Sequence, residues 1–167
     1  MSQTAKAVPQ GFHTLTPHLI VRDADQAIEF YQKAFGAELV GDVARMPNGK
    51  VMHALLRIGD SNLMLNDEMP EYGAVAPASG GSSSVTIHIY TPDVDSAFNR
   101  ATSAGVKVAM PLMDQFWGDR YGVVTDPSGH KWSLAQHVRD LSPEEMRRAM
   151  DEAMTKMPPP QAQRKTA

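Results

Sequence analysis

The feature that most constrains this chain is that it makes the same move twice. The strand pattern TPHLIVR, Thr16–Arg22, runs into DADQAIEFYQKAFG, Asp23–Gly36. Later VTIHIY, Val85–Tyr90, runs through Thr91 and Pro92 into DVDSAFNRATSAG, Asp93–Gly105. His18 pairs with His88, Asp23 with Asp93, Ala27 with Ala97 and Ile28 with Phe98. One supersecondary unit is used twice.

In the first copy Leu15, Pro17, Leu19 and Val21 are apolar while Thr14, Thr16 and His18 are not, an alternation that puts the two sets on opposite faces of a sheet. In the second, Val85, Ile87 and Ile89 oppose Thr86, His88 and Tyr90, so each histidine faces away from the apolar side. Each helix starts at an aspartate with a second two residues on, where carboxylates cap orphan N–H groups and meet the positive end of the dipole. Ala24, Ala27, Ile28, Tyr31 and Phe35 form one buried stripe, and Val94, Ala97, Phe98, Ala101 and Ala104 the other. Gly36 and Gly105 sit where a left-handed cap is wanted. Both helices are expected on the odd-numbered side of their own strands.

Three strand candidates follow each helix: Glu38–Val43, Val51–Ile58 and Asn62–Asn66, then Lys107–Pro111, Tyr121–Thr125 and Lys131–Ala135. Gly59-Asp60 and Asp126-Pro127-Ser128-Gly129 are turn signals closing the last hairpin of each copy. The expected fold is α+β, two tandem βαβββ modules over 13–68 and 85–138 forming a curved cleft. Residues 1–12 read as a mobile lead-in. The segment 69–84, rich in glycine, proline and serine, argues against regular structure and is either a linker or a flap over a pocket. Ser142-Pro143-Glu144-Glu145 is a capping box opening a C-terminal helix within 139–157. Its Met146, Met150, Met154 and Met157 share one face, suited to packing against this chain or a sister chain rather than to a ligand, and 158–167 reads as a disordered tail.

With 167 residues, 42% of them hydrophobic, the chain can bury a core as one compact unit. A net charge of −3 gives no field to attract nucleic acid or an anionic membrane, so neither is expected as a partner. The lack of cysteine excludes disulfides, thiolate nucleophiles and Cys-ligated zinc. The start, MSQTAKAVPQGF, lacks a secretory apolar stretch and no run is long enough to span a membrane, so a cytoplasmic location is expected. No Walker loop, GxGxxG, GxSxG elbow or HExxH occurs.

The doubled unit together with IEFYQKAFGAE, RIGDSNLML, FWGDRYG and DPSGHKWSL resembles the vicinal oxygen chelate superfamily, within it the PhnB-like branch of glyoxalase and bleomycin-resistance-like proteins. That resemblance implies paired modules whose eight strands curve into a cleft, usually in a homodimer that can swap modules. It implies chemistry ranging from glyoxalase and dioxygenase reactions to plain drug sequestration, so the family alone does not set the reaction. It also implies a divalent metal (Zn, Ni, Mn or Fe) held by His, Gln or Glu from the first and last strands of each module. Aligned on IEFY, the first-strand positions are Thr16 and Thr86, with His18 and His88 two residues later on the same face, and the last-strand positions are Ser133 and Met64. Ser133 and Met64 cannot replace carboxylates on a hard or borderline cation. The remaining metal candidate is His18, His88 and Glu68.

A second reading needs no metal. His18, His53, His88, Arg57 and Arg120 supply donors or potential cations, and Asn66, Tyr90 and Ser133 neutral hydrogen bonds, a lining suited to an anionic or oxygen-rich small molecule. His18 and His88 are the candidate catalytic acid/base groups. In FWGDRYG, Trp117 offers a flat wall and Arg120 a rim charge; alternatively Gly118-Asp119 turns, Asp119 pairs with Arg120 and the aromatics pack inward. His130 and Lys131 are expected to face solvent, and His137 lies past the last strand near the cleft mouth. Two functions stay open: a glyoxalase-like lyase or isomerase, and a protein that binds and sequesters a drug or metabolite.

Overall fold

The computed structural model describes residues 6–81 and 83–156. The first module runs β1 (His18–Val21), α1 (Ala24–Phe35), β2 (Glu38–Arg45), β3 (Val51–Ile58) and β4 (Ser61–Asp67). The second runs β5 (Thr86–Tyr90), α3 (Val94–Ala104), β6 (Lys107–Asp114), β7 (Asp119–Thr125) and β8 (Lys131–His137). Between them lie a single 3₁₀ turn, Pro70–Tyr72, and the short α2 (Pro77–Gly80); α4 (Pro143–Lys156) ends the described chain. Each module is a four-stranded mixed sheet in the same order, β1-β4-β3-β2 and β5-β8-β7-β6, with the first strand parallel to the last.

Local chemistry explains why the same shape forms twice. Asp23 accepts the N–H of Gln26 and Asp93 that of Ser96, both at 3.0 Å, and Gly36 and Gly105 take the left-handed caps at φ 68° and 103°. A further pair of side chains repeats the device: Asp67 on β4 accepts the N–H of Ala24 at 2.7 Å, and Gln136 on β8 accepts that of Val94 at 3.2 Å. The last strand of each module thereby holds the first turn of its own helix.

The helices cover one face of their sheets, and that face is the core. Leu19, Val21, Ala54, Leu56, Leu63 and Leu65 are buried under α1, and Val124, Trp132 and Leu134 under α3. α1 also reaches the other module. Phe35 packs on Trp132 with centroids 4.5 Å apart, and the Tyr31 hydroxyl donates to Asp126 at 2.7 Å. Asp126 is buried and accepts as well from the Trp132 indole and the N–H groups of Ser128 and His130, so the predicted β7–β8 turn is a four-donor carboxylate cage.

Four local expectations change. Leu15 lies before β1 and is largely exposed, since the strand begins only at His18, where pairing to β4 begins. His130 does not face solvent: it is buried, with Nε2 2.9 Å from the carbonyl of Ile20 in the other module. The segment between the modules carries two short helical turns, and Glu68 anchors it by accepting from Ala76 N at 3.1 Å and Ser79 Oγ at 3.2 Å. Finally, α4 has its capping box, with Ser142 N on Glu145 at 2.8 Å, yet buries no side chain, and Met150 and Met154 are exposed. Met157 and the tail at 158–167 lie outside the described residues. Among the described residues no helix is long and apolar enough to cross a membrane.

Candidate functional site

With the odd-numbered residues of β1 and β5 under the helices, the even-numbered ones stand on the opposite, uncovered faces. His18 and His88 both project there and border one cavity of about 760 Å³ roofed by Val75, Pro77 and Ser83–Val85 of the inter-module segment. His53 on β3 meets His18 edge-on, with ring centroids 6.1 Å apart. The two imidazoles singled out by the repeat thus face a shared hollow.

The second module's uncovered face is built more elaborately. The Nδ1 of His88 lies 2.8 Å from the hydroxyl of Ser133, directly beside it in the β5–β8 register. Its ring meets Tyr90 edge-on at 4.5 Å and stacks on Tyr121 at 5.9 Å, and Tyr121 in turn meets Trp117 at 5.7 Å. Four rings form one continuous wall. Beneath it Asp119, only 4% exposed, accepts from the Tyr90 hydroxyl at 2.9 Å, the Trp117 indole at 3.0 Å and His137 Nδ1 at 2.8 Å. Donors from β5, the β6–β7 turn and β8 converge on one carboxylate, which fixes two of the wall's rings.

The electrostatics follow from those contacts. Burial pushes the Asp119 carboxyl up, but the hydrogen bonds from His137, Tyr90 and Trp117 together outweigh it and hold it below the ordinary range. The Tyr90 hydroxyl is raised chiefly by its bond to Asp119. His137 is raised by hydrogen bonds to Asp140 and then Asp119.

The remaining sequence candidates are placed differently. Arg120 points away from the wall and is tied to Asp95 at 2.7 Å and Asp114 at 3.1 Å, so it does not pair with Asp119. Arg57 is ion-paired to Glu38 on the neighbouring strand, and Asn66 is buried with its amide donating to the carbonyl of Asp67. Neither arginine offers an unpaired charge to a ligand. Nor do His18, His88 and Glu68 converge: the Glu68 carboxylate serves the inter-module segment, and among the described residues no three His, Asp, Glu or Cys side chains group closely enough to hold a metal. With Ser133 and Met64 at the last-strand positions, the donor set does not fit a divalent ion.

Asp119 and Tyr121 were missed as site residues, although a signal for them existed. Counting back from the Asp126–Gly129 turn pairs Val123 with Ser133, Tyr121 with Ala135 and Asp119 with His137, which places all three on the face of Ser133.

The sequence model of the Glyoxalase/Bleomycin resistance protein/Dioxygenase superfamily matches residues 11–134. The chain is 50% identical over 139 residues to Rv0887c, an uncharacterized protein of Mycobacterium tuberculosis, with 81% of each chain covered. Its fold is similar to that of TioX from Micromonospora, at 27% identity and TM-score 0.57 over 78% of this chain and 100% of the other. It is similar also to protein PA1353 from Pseudomonas aeruginosa, at 25% identity and TM-score 0.61 over 76% of this chain and 99% of the other.

Proposed function

This chain belongs to the Glyoxalase/Bleomycin resistance protein/Dioxygenase superfamily, and from that premise we propose that it binds a small planar, oxygen-bearing molecule against the wall of His88, Tyr90, Tyr121 and Trp117. The observation that carries this reading is the ring wall itself, held from below by a buried carboxylate and open above, with Tyr90 62% exposed. Aromatic side chains left open on a sheet face supply a large apolar contact at low entropic cost, and preorganisation by Asp119 removes part of the cost of ordering them on binding. Binding and sequestration is the function this supports best.

The lyase or isomerase reading rests on His18 and His88 bordering one cavity. It requires one of them to accept a proton α to a carbonyl. Homodimer formation belongs to the same proposal, with the exposed Met150 and Met154 face of α4 as one surface for a second copy.

The test uses tryptophan emission. Trp132 is fully buried and Trp117 partly exposed, so a ligand on the wall contacts Trp117 and not Trp132. Titration with 2-naphthoate and 2-acetonaphthone is expected to give saturable quenching in the native chain that disappears in Trp117→Phe. Recovery of the probes unchanged supports sequestration. Incorporation of deuterium at the α-methyl of 2-acetonaphthone, lost in His88→Gln, would support the isomerase reading instead, and the absence of saturable quenching by either probe would contradict both.

A further inference from the structure

The contact between His88 and Ser133 determines more than position. Ser133 is 1% exposed, and among the described residues its hydroxyl has one partner, the Nδ1 of His88 at 2.8 Å. A serine hydroxyl carries one proton, and a neutral imidazole carries one on either nitrogen. Two arrangements are therefore available. If Nδ1 carries the proton and donates to Ser133, the hydroxyl proton is left buried with no acceptor. If the hydroxyl donates to a bare Nδ1, nothing is orphaned and the imidazole proton sits on Nε2. A buried donor without an acceptor is costly enough to skew the two forms roughly tenfold or more.

The structure assigns Ser133 as a positioning residue that holds neutral His88 as the Nε2–H tautomer, so that His88 presents a hydrogen-bond donor, not a base, to the cleft. Nε2 has no partner among the described residues, His88 is exposed, and the ring borders the inter-module cavity. Tyr90 and Tyr121 pack against the imidazole and limit its rotation. Elsewhere on the wall the Tyr90 hydroxyl and the Trp117 indole are both spent on Asp119, and the Tyr121 hydroxyl, which has no hydrogen bond among the described residues, is the one other donor left open.

This deepens the proposed function and rests on it for its ligand. The molecule taken by the wall should carry an acceptor such as a carbonyl or carboxylate oxygen at the edge of its planar system, set against His88 Nε2. It also bears on the alternatives. Both a general base at His88 and a metal ligand at Nε2 need a bare Nε2, and either would strand the Ser133 proton.

The test reads the tautomer directly and needs no ligand. In the full chain with ¹⁵N-labelled histidine, at a pH where His88 is neutral, long-range proton–nitrogen correlation is expected to show a protonated Nε2 and a bare Nδ1, with His88→Gln assigning the signals. A protonated Nδ1 in the native chain overturns the inference. Ser133→Ala is expected to give a mixture of both forms. In the binding arm, 2-acetonaphthone should weaken about twofold in Ser133→Ala, since an even mixture leaves about half of the imidazoles with the donor at Nε2, while 2-ethylnaphthalene, which lacks the acceptor, is unchanged. If neither probe binds the native chain the proposed function fails, while the tautomer result still decides the role of Ser133.

Discussion

Replacing Asp119 by alanine tests whether one buried carboxylate holds the aromatic wall. Hydrogen bonds to a charged acceptor contribute about 1.5–3 kcal/mol each. Asp119 accepts three, but the donors are not equally dependent on it. Tyr90 is 62% exposed and the His137 side chain 52% exposed, so both can turn to water once freed, and His137 keeps Asp140 at 2.9 Å. Only the partly buried Trp117 indole loses its acceptor outright. The net loss is thus close to one charged hydrogen bond, about 2 kcal/mol. Urea unfolding followed by far-ultraviolet circular dichroism should show a lower midpoint at unchanged slope, with a shift in Trp117 emission in the folded state. A loss below about 0.5 kcal/mol, the size of an ordinary surface substitution, with Trp117 emission unmoved would refute the reasoning.

The same network sets a pH dependence. His137 is raised above its ordinary value of 6.5, so its contribution is fully present below 6.5 and is lost as pH rises through the folded value; Asp119 is depressed below 3.8, so its contribution is present above 3.8 and is lost as pH falls through the folded value. Stability measured against pH should therefore decline on the alkaline side of 6.5, and His137→Gln should flatten that decline. Tyr31→Phe removes the 2.7 Å bond to Asp126 but leaves that carboxylate three donors, and a loss of about 1 kcal/mol in urea unfolding is expected. Gly122→Ala would place a methyl 2.6 Å from the Phe98 ring and 3.1 Å from Leu112 Cα, so a loss of about 1–3 kcal/mol is expected from thermal and urea unfolding.

The parts of this fold that could be read from sequence are those encoded locally and stated twice. Alternation around His18 and His88 identified the uncovered faces, the aspartate and glycine caps bounded α1 and α3, and Val51–Ile58 spans the residues expected of it. Asp119 shows where local reading stops. Taking Gly118-Asp119 as a turn moved the start of β7 past Asp119 and hid its face, and a strand shifted by one residue exchanges its faces. In the structure the turn ends at Gly118, whose φ of 99° and 2.1 Å approach of a would-be Cβ to the Arg139 carbonyl leave room for no side chain. Asp119 then faces the wall, and Arg120 faces Asp95 at the start of α3. His130 failed for a different reason. Its partner, the Ile20 carbonyl, belongs to the other module, and no pattern within DPSGHKW encodes a contact so distant along the chain.

The uncovered face of the second module is the surface proposed to receive the ligand. Side-chain chemical-shift mapping of the full chain titrated with 2-acetonaphthone addresses it most directly. Perturbations are expected to concentrate on His88, Tyr90, Trp117 and Tyr121, with Trp132 of β8 and Tyr31 of α1, both buried in the core, unmoved. Perturbations centred instead on the groove between α1 and the Asp126–Gly129 turn, or spread with no focus, would contradict it.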